Sequence, residues 1–133
     1  MKDTAEDGEP TGDWVEVVFS RRDGKRVVRA ARRAGLPVEE YVKRAALARA
    51  RGGARFTTNV INRARWIRSH GGHPDPAWPL GEQLAVALVL DDDEFLQAAG
   101  CTRQQAIKRL DWDLTGDATG DAEAWIADVR ALL

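Results

Sequence analysis

WVEVVFSRRDGKRVVRAARRAGLPVEEYVKRAAL, residues 14–47, is the stretch whose reading decides the fold. It opens on Trp14–Phe19, where β-branched residues dominate and Val15, Val17 and Phe19 alternate onto one face, the period of a strand. An isolated strand is not stable in water. No second strand is legible elsewhere in the chain, so the expected partner is the same strand of a second copy. The reading therefore expects a homodimer with Val15, Val17, Phe19, Val27, Val42 and Ala46 in its core.

Ser20 is placed to cap a helix over 21–34. Val27, Ala30, Ala31 and Ala34 share one face of it, and Arg22, Lys25, Arg26, Arg29, Arg32 and Arg33 lie elsewhere. Gly24 weakens that helix by about 1 kcal/mol against Ala, and Gly35 ends it. Pro37 opens a second helix running to about Arg51, with Val38, Tyr41, Val42, Ala45 and Ala46 on its apolar face. Glu39 and Glu40 suit the positive end of its dipole. Gly52 and Gly53 stop it.

Working outward, a third helix is expected from Thr57 or Thr58 to about His70. Val60, Ile61, Ala64 and Ile67 face its core, and Arg63, Arg65 and Arg68 do not. His73–Pro79 holds three prolines in seven residues and reads as a linker. Beyond it the chain reads as helical: an apolar run over 81–90, then a short helix capped by Asp91–Asp93. Thr102 and Gln105 form a capping box. A last helix follows Asp121, with Trp125, Ile126, Val129 and Leu132 at one-face spacing. The expected organisation is an acidic disordered arm over 1–13, a dimerisation and DNA-binding domain over 14–70, a linker over 71–79 and an acidic helical module over 80–133. No internal repeat is present.

The net charge of −1 over 133 residues conceals a division along the chain. Residues 1–13 hold one Lys and five acids, residues 14–73 hold fifteen Lys and Arg against four acids, and residues 74–133 hold four against twelve. The three parts thus carry −4, +11 and −8. Such asymmetry points to one part that binds a polyanion and another that is acidic. The plainer alternative is that the two parts attract each other.

No apolar run approaches the roughly 20 residues of a membrane helix. The acidic, polar N-terminus does not read as a secretory leader. A single cysteine, Cys101, allows no intrachain disulfide. The expected location is therefore cytoplasmic, associated with the nucleoid, with no membrane partner. His70 and His73 lack an obvious third metal ligand, and Asp91–Asp92–Asp93–Glu94 suits a helix start. There is no Gly-x-x-x-x-Gly-Lys-Ser/Thr phosphate loop, nor a nucleophile set with a base. The reading expects no enzyme, no metal and no cofactor.

The order strand, helix, glycine turn, helix resembles the ribbon-helix-helix family of the MetJ and Arc type repressors. The residues that carry the likeness are Val15–Ser20, the apolar positions Val27, Ala30 and Ala31, and A-G-L-P-V-E-E-Y-V-K-R-A-A-L over Ala34–Leu47, which is also similar to plasmid mobilisation accessory proteins. The resemblance covers about a quarter of the chain. It implies a mainly α protein with a ribbon-helix-helix N-terminal part and a C-terminal helical module.

It also implies a strand pair in the major groove of double-stranded DNA, with Trp14, Glu16 and Val18 facing the bases. The amides at Pro37, Val38 and Glu39 would take a phosphate. Arg21, Arg22, Lys25, Arg55, Arg63, Arg65 and Arg68 are the expected further phosphate contacts. The function so implied is a transcriptional regulator or a plasmid maintenance or mobilisation factor, a dimer or a higher oligomer. The alternative is a protein-interaction module, such as an antitoxin that holds a toxin through residues 80–133, with weak or no DNA binding. The outward strand face of Trp14, Glu16 and Val18 is aromatic, acidic and aliphatic, which favours that alternative.

Overall fold

The computed structural model describes residues 16–115 and 121–133. Trp14, Val15 and the acidic arm over 1–13 lie outside the described residues. Among the described residues there are seven helices: α1 (Arg21–Ala34), α2 (Val38–Gly52), α3 (Ala54–His70), α4 (Leu80–Leu90), α5 (Asp93–Ala98), α6 (Arg103–Thr115) and α7 (Asp121–Leu132).

Local chemistry sets most of the boundaries. The Ser20 hydroxyl accepts the Asp23 N–H at 3.1 Å and starts α1. Gly35, with φ at 70°, ends it by donating to the carbonyls of Ala31 and Arg32. Gly53, with φ at 78°, serves two helices at once: its N–H closes α2 on the Arg49 carbonyl at 2.8 Å, and its carbonyl accepts the Thr57 N–H of α3. So α3 begins at Ala54, ahead of the expected start at Thr57 or Thr58. Asp92 caps α5 by accepting the Phe95 N–H at 3.0 Å. The capping box forms reciprocally: Thr102 N–H donates to Gln105 Oε1 at 2.9 Å, and Gln105 N–H to Thr102 Oγ1 at 3.0 Å.

One core joins the helices on both sides of the proline-rich connection. Its centre is α4, where Leu84 to Val89 are all buried; a helix that is apolar all round belongs inside. Around it pack Val60, Ile61, Ala64 and Ile67 of α3, Ala106 and Leu110 of α6, and Trp125, Ile126, Val129 and Leu132 of α7. α2 lies against α7 over most of its length and adds Ala48. α1 stands outside this core: only Ala31 is buried, and the helix packs on α2 and lightly on α7.

The expected ribbon-helix-helix fold is corrected here. No strand occurs among the described residues, and the mainly α part of the expectation is what remains. Residues 16–20 lack regular structure and are all exposed. The physical reason is a missing neighbour. β-prone residues gain their stability from cross-strand hydrogen bonds and packing, and the described part of this chain offers no strand to pair with. The expected alternation, with Val17 and Phe19 inward and Glu16 and Val18 outward, therefore has no sheet to refer to, and Val17, Val18 and Phe19 are 55%, 84% and 42% exposed.

Candidate nucleic-acid interface

α1 carries Arg21, Arg22, Lys25, Arg26, Arg29, Arg32 and Arg33 against a single acid, Asp23. At 3.6 residues per turn these seven cations fall within an arc of roughly 140°, opposite the face that holds Val27, Ala31 and Ala34. All seven side chains are exposed. The helix is fourteen residues long, so the basic ridge runs about 21 Å. Only Arg26 has an acidic neighbour among the described residues, Asp23 at 3.9 Å, and both are well exposed. Such a pair is worth little in water. Along one edge, Arg21, Lys25, Arg29 and Arg32 border a shallow groove floored by Gly24 and Val28.

The cations of α2 and α3 have a different fate. Asp128 of α7 is buried and accepts from Arg44 at 3.2 Å and from Arg51. Arg44 also donates to Glu40 at 2.6 Å, a bond that raises its pKa further and keeps it charged. Arg63 pairs with Glu82 and lies 4.5 Å from the ring centroid of Trp78. Arg49 donates to the Thr58 hydroxyl at 3.3 Å, and Arg65 to the Leu132 carbonyl at 2.9 Å. The attraction between a basic and an acidic part is thus real for α2 and α3. It leaves α1 unneutralised.

The expected site residues are placed as follows. Trp14 and Val15 lie outside the described residues. Glu16 and Val18 are exposed in the irregular segment before α1. Arg21, Arg22 and Lys25 belong to the basic ridge. Pro37, Val38 and Glu39 form the surface start of α2, where Pro37 makes no side-chain cap. Arg55 is exposed on the first turn of α3. Arg63 is taken up by Glu82 and Trp78. Arg65 and Arg68 come together with Arg33 at a cleft between α1, α3 and the end of α7.

Of the expected dimer residues, Phe19, Val27, Val42 and Ala46 surround one open groove of about 360 Å³, beside Tyr41. Val17 is exposed nearby in sequence. His70 bonds its Nδ1 to the Trp66 carbonyl at 2.9 Å and stacks on that indole, while His73 Nδ1 meets Asp92 at 2.6 Å. The two histidines therefore serve separate partners. Among the described residues no group of three or more His, Cys, Asp and Glu is arranged to hold a metal, and no helix is long and apolar enough to cross a membrane.

Sequence reasoning left Arg26, Arg29, Arg32 and Arg33 out of the site. The signal was available in the 3.6-residue period over 21–34, which gathers all seven cations on one side. No family model matches the chain, and no curated protein or solved structure matches it.

Proposed function

We propose that the chain binds double-stranded DNA through the outer face of α1, and that two copies join so that two such helices address one duplex. The observation that carries this reading is the contrast in ion pairing: Arg44, Arg51 and Arg63 of α2 and α3 pair with acids of the fold, whereas of the seven cations of α1 only Arg26 has an acidic neighbour among the described residues. A helix with its side chains is about 10–12 Å across, and the major groove is about 12 Å wide. A ridge made only of Arg and Lys favours phosphates, which position a protein on DNA without reading sequence. The groove around Phe19, Val27, Val42 and Ala46 supports a self-complementary contact between copies.

A regulatory or plasmid-maintenance role follows if the duplex upstream of the chain's own coding region binds more tightly than random duplex. The other reading, a partner held by residues 80–133, has less support. Leu80 and Trp112 are the large apolar side chains exposed on the described part of that segment. The test is equilibrium binding to a labelled random duplex and to upstream duplexes over a salt series. A steep linear fall of log affinity with log salt is expected. Absence of binding at low salt removes the reading.

A further inference from the structure

Apart from the outer ridge, the molecule has a second basic feature, the cleft of about 560 Å³ between α1, the last turns of α3 and the end of α7. Its rim holds Arg33, Arg65 and Arg68, and its apolar surface includes Ala30, Ala34 and Leu132. No acidic side chain lines it, and Leu133, the last residue of the sequence, also borders it. Among the described residues no carboxylate stands within ion-pair distance of any of the three arginines.

We infer that this cleft is an anion site for a phosphate group, either a phosphodiester of a nucleic acid backbone or a free phosphate compound. Three points support it. Arg65 is held in place by its bond to the Leu132 carbonyl at 2.9 Å, so part of the ordering cost of binding is already met by the fold. The Ser69 hydroxyl donates back to the Arg65 carbonyl at 3.0 Å, which leaves the guanidinium groups as the side-chain donors of the cleft. Guanidinium forks match phosphate oxygens two at a time, and an apolar floor strengthens that attraction relative to open water.

Three like charges at one concave site repel one another, and a bound phosphate relieves that repulsion. The cleft faces away from the middle of the α1 ridge, because Ala30 and Ala34 lie beside the core-facing side of that helix. The inference therefore stands whether or not α1 binds a duplex.

The experiment titrates inorganic pyrophosphate into the full chain at low ionic strength, followed by calorimetry and by the arginine side-chain Nε–H resonances. Saturable binding is expected. Arg68→Ala should weaken it about tenfold, the effect of one lost charge-assisted contact, and Arg22→Ala should leave it within about twofold. Arg68 makes no side-chain bond in the fold among the described residues, so its loss does not threaten folding; an unchanged denaturation midpoint checks this.

A short duplex that displaces pyrophosphate, and whose own affinity falls in Arg68→Ala, assigns the cleft to a backbone phosphate. Duplex binding that is indifferent to saturating pyrophosphate assigns it to a free phosphate compound. Titration without saturation, or equal losses in Arg22→Ala and Arg68→Ala, overturns the inference. Duplex binding by α1 is read separately in the same samples, so either idea can fail alone.

Discussion

Trp125 donates its indole N–H to the Thr57 hydroxyl at 3.1 Å, and that hydroxyl donates in turn to the Ala48 carbonyl at 3.1 Å. The relay ties α7, α3 and α2 together at a fully buried point. Gly52 makes room for it: a Cβ there would stand 2.5 Å from Trp125 Nε1 and 2.9 Å from both Thr57 Oγ1 and Leu114 Cδ2. Thr57→Val removes one hydroxyl and strands the buried Trp125 indole N–H, a cost of about 1–3 kcal/mol. Gly52→Ala is expected to cost about 1–3 kcal/mol, because overpacking outweighs the gain in helix propensity. Urea denaturation followed by tryptophan fluorescence measures both, and a stabilised Gly52→Ala would contradict the close approach.

Asp128 is the hinge of the acidic and basic halves. Its carboxylate is buried between Arg44 and Arg51. Asp128→Ala leaves Arg51 without its acid and Arg44 with Glu40 alone, and both arginines keep partial access to water. The expected cost is therefore about 2 kcal/mol, below the 3–5 kcal/mol of a fully buried broken pair. Arg44→Ala and Arg51→Ala should each cost about 1 kcal/mol, since the remaining arginine still serves the carboxylate. A double-mutant cycle between Asp128 and either arginine gives the coupling, and additive losses would show that the pairs contribute nothing.

Much of this architecture was legible because it depends on neighbours in sequence. Ser20 caps α1, Thr102 and Gln105 close their box, and Trp125, Ile126, Val129 and Leu132 all face the core as their spacing requires. The failures depend on residues far apart. Trp14–Phe19 has strand composition, but a strand exists only with a partner, and composition does not supply one. The Gly52–Gly53 pair read as a full stop, whereas one glycine at positive φ turns the chain directly into α3. The site suffered in the same way. Arg63 and Arg65 look as free in sequence as Arg22, and only folding brings Glu82 and the Leu132 carbonyl to them.

The connection between α3 and α4 carries a pH-sensitive contact. His73 Nδ1 lies 2.6 Å from Asp92, and Nε2 lies 3.7 Å from Glu94. The hydrogen bond to Asp92, and then its charge, raise the His73 pKa above its ordinary value near 6.5. A group whose pKa rises on folding stabilises the fold below its unfolded pKa and loses that contribution as pH rises through the folded value. His73→Gln should therefore lower the thermal midpoint most in mild acid and least above neutrality. Midpoints of both proteins between about pH 5.5 and 8.5 test this; a gap that widens with pH would contradict the contact.

Phe19 stands at the mouth of the groove formed with Val27, Tyr41, Val42 and Ala46, and is 42% exposed. Joining of two copies there would bury it together with Val17 and Val18. A carboxylate at this position would be costly to desolvate in such an interface and tolerable on an exposed monomer surface. Phe19→Asp is thus expected to shift the sedimentation profile from dimer to monomer while the denaturation midpoint extrapolated to low concentration stays the same. A wild-type chain that sediments as a monomer at high concentration would remove the dimer from the proposal.

The strongest test of the α1 ridge is the salt slope, because it counts phosphates and does not depend on sequence. Each phosphate neutralised on B-form DNA contributes about −0.9 to the slope of log affinity against log salt. If five or more of the seven cations are engaged, one copy gives a slope of about −5. Arg22, Lys25 and Arg29 lie near the middle of the arc, and none is needed by the core. The triple change to Ala at these positions should flatten the slope by roughly 2–3 per copy and leave stability equal or slightly higher, since Ala is the better helix former. Lys108→Ala, an exposed cation on α6 in the acidic half, is the control and should leave the slope unchanged. Equal slopes for the triple variant and the control would mean that α1 is not the surface that meets DNA.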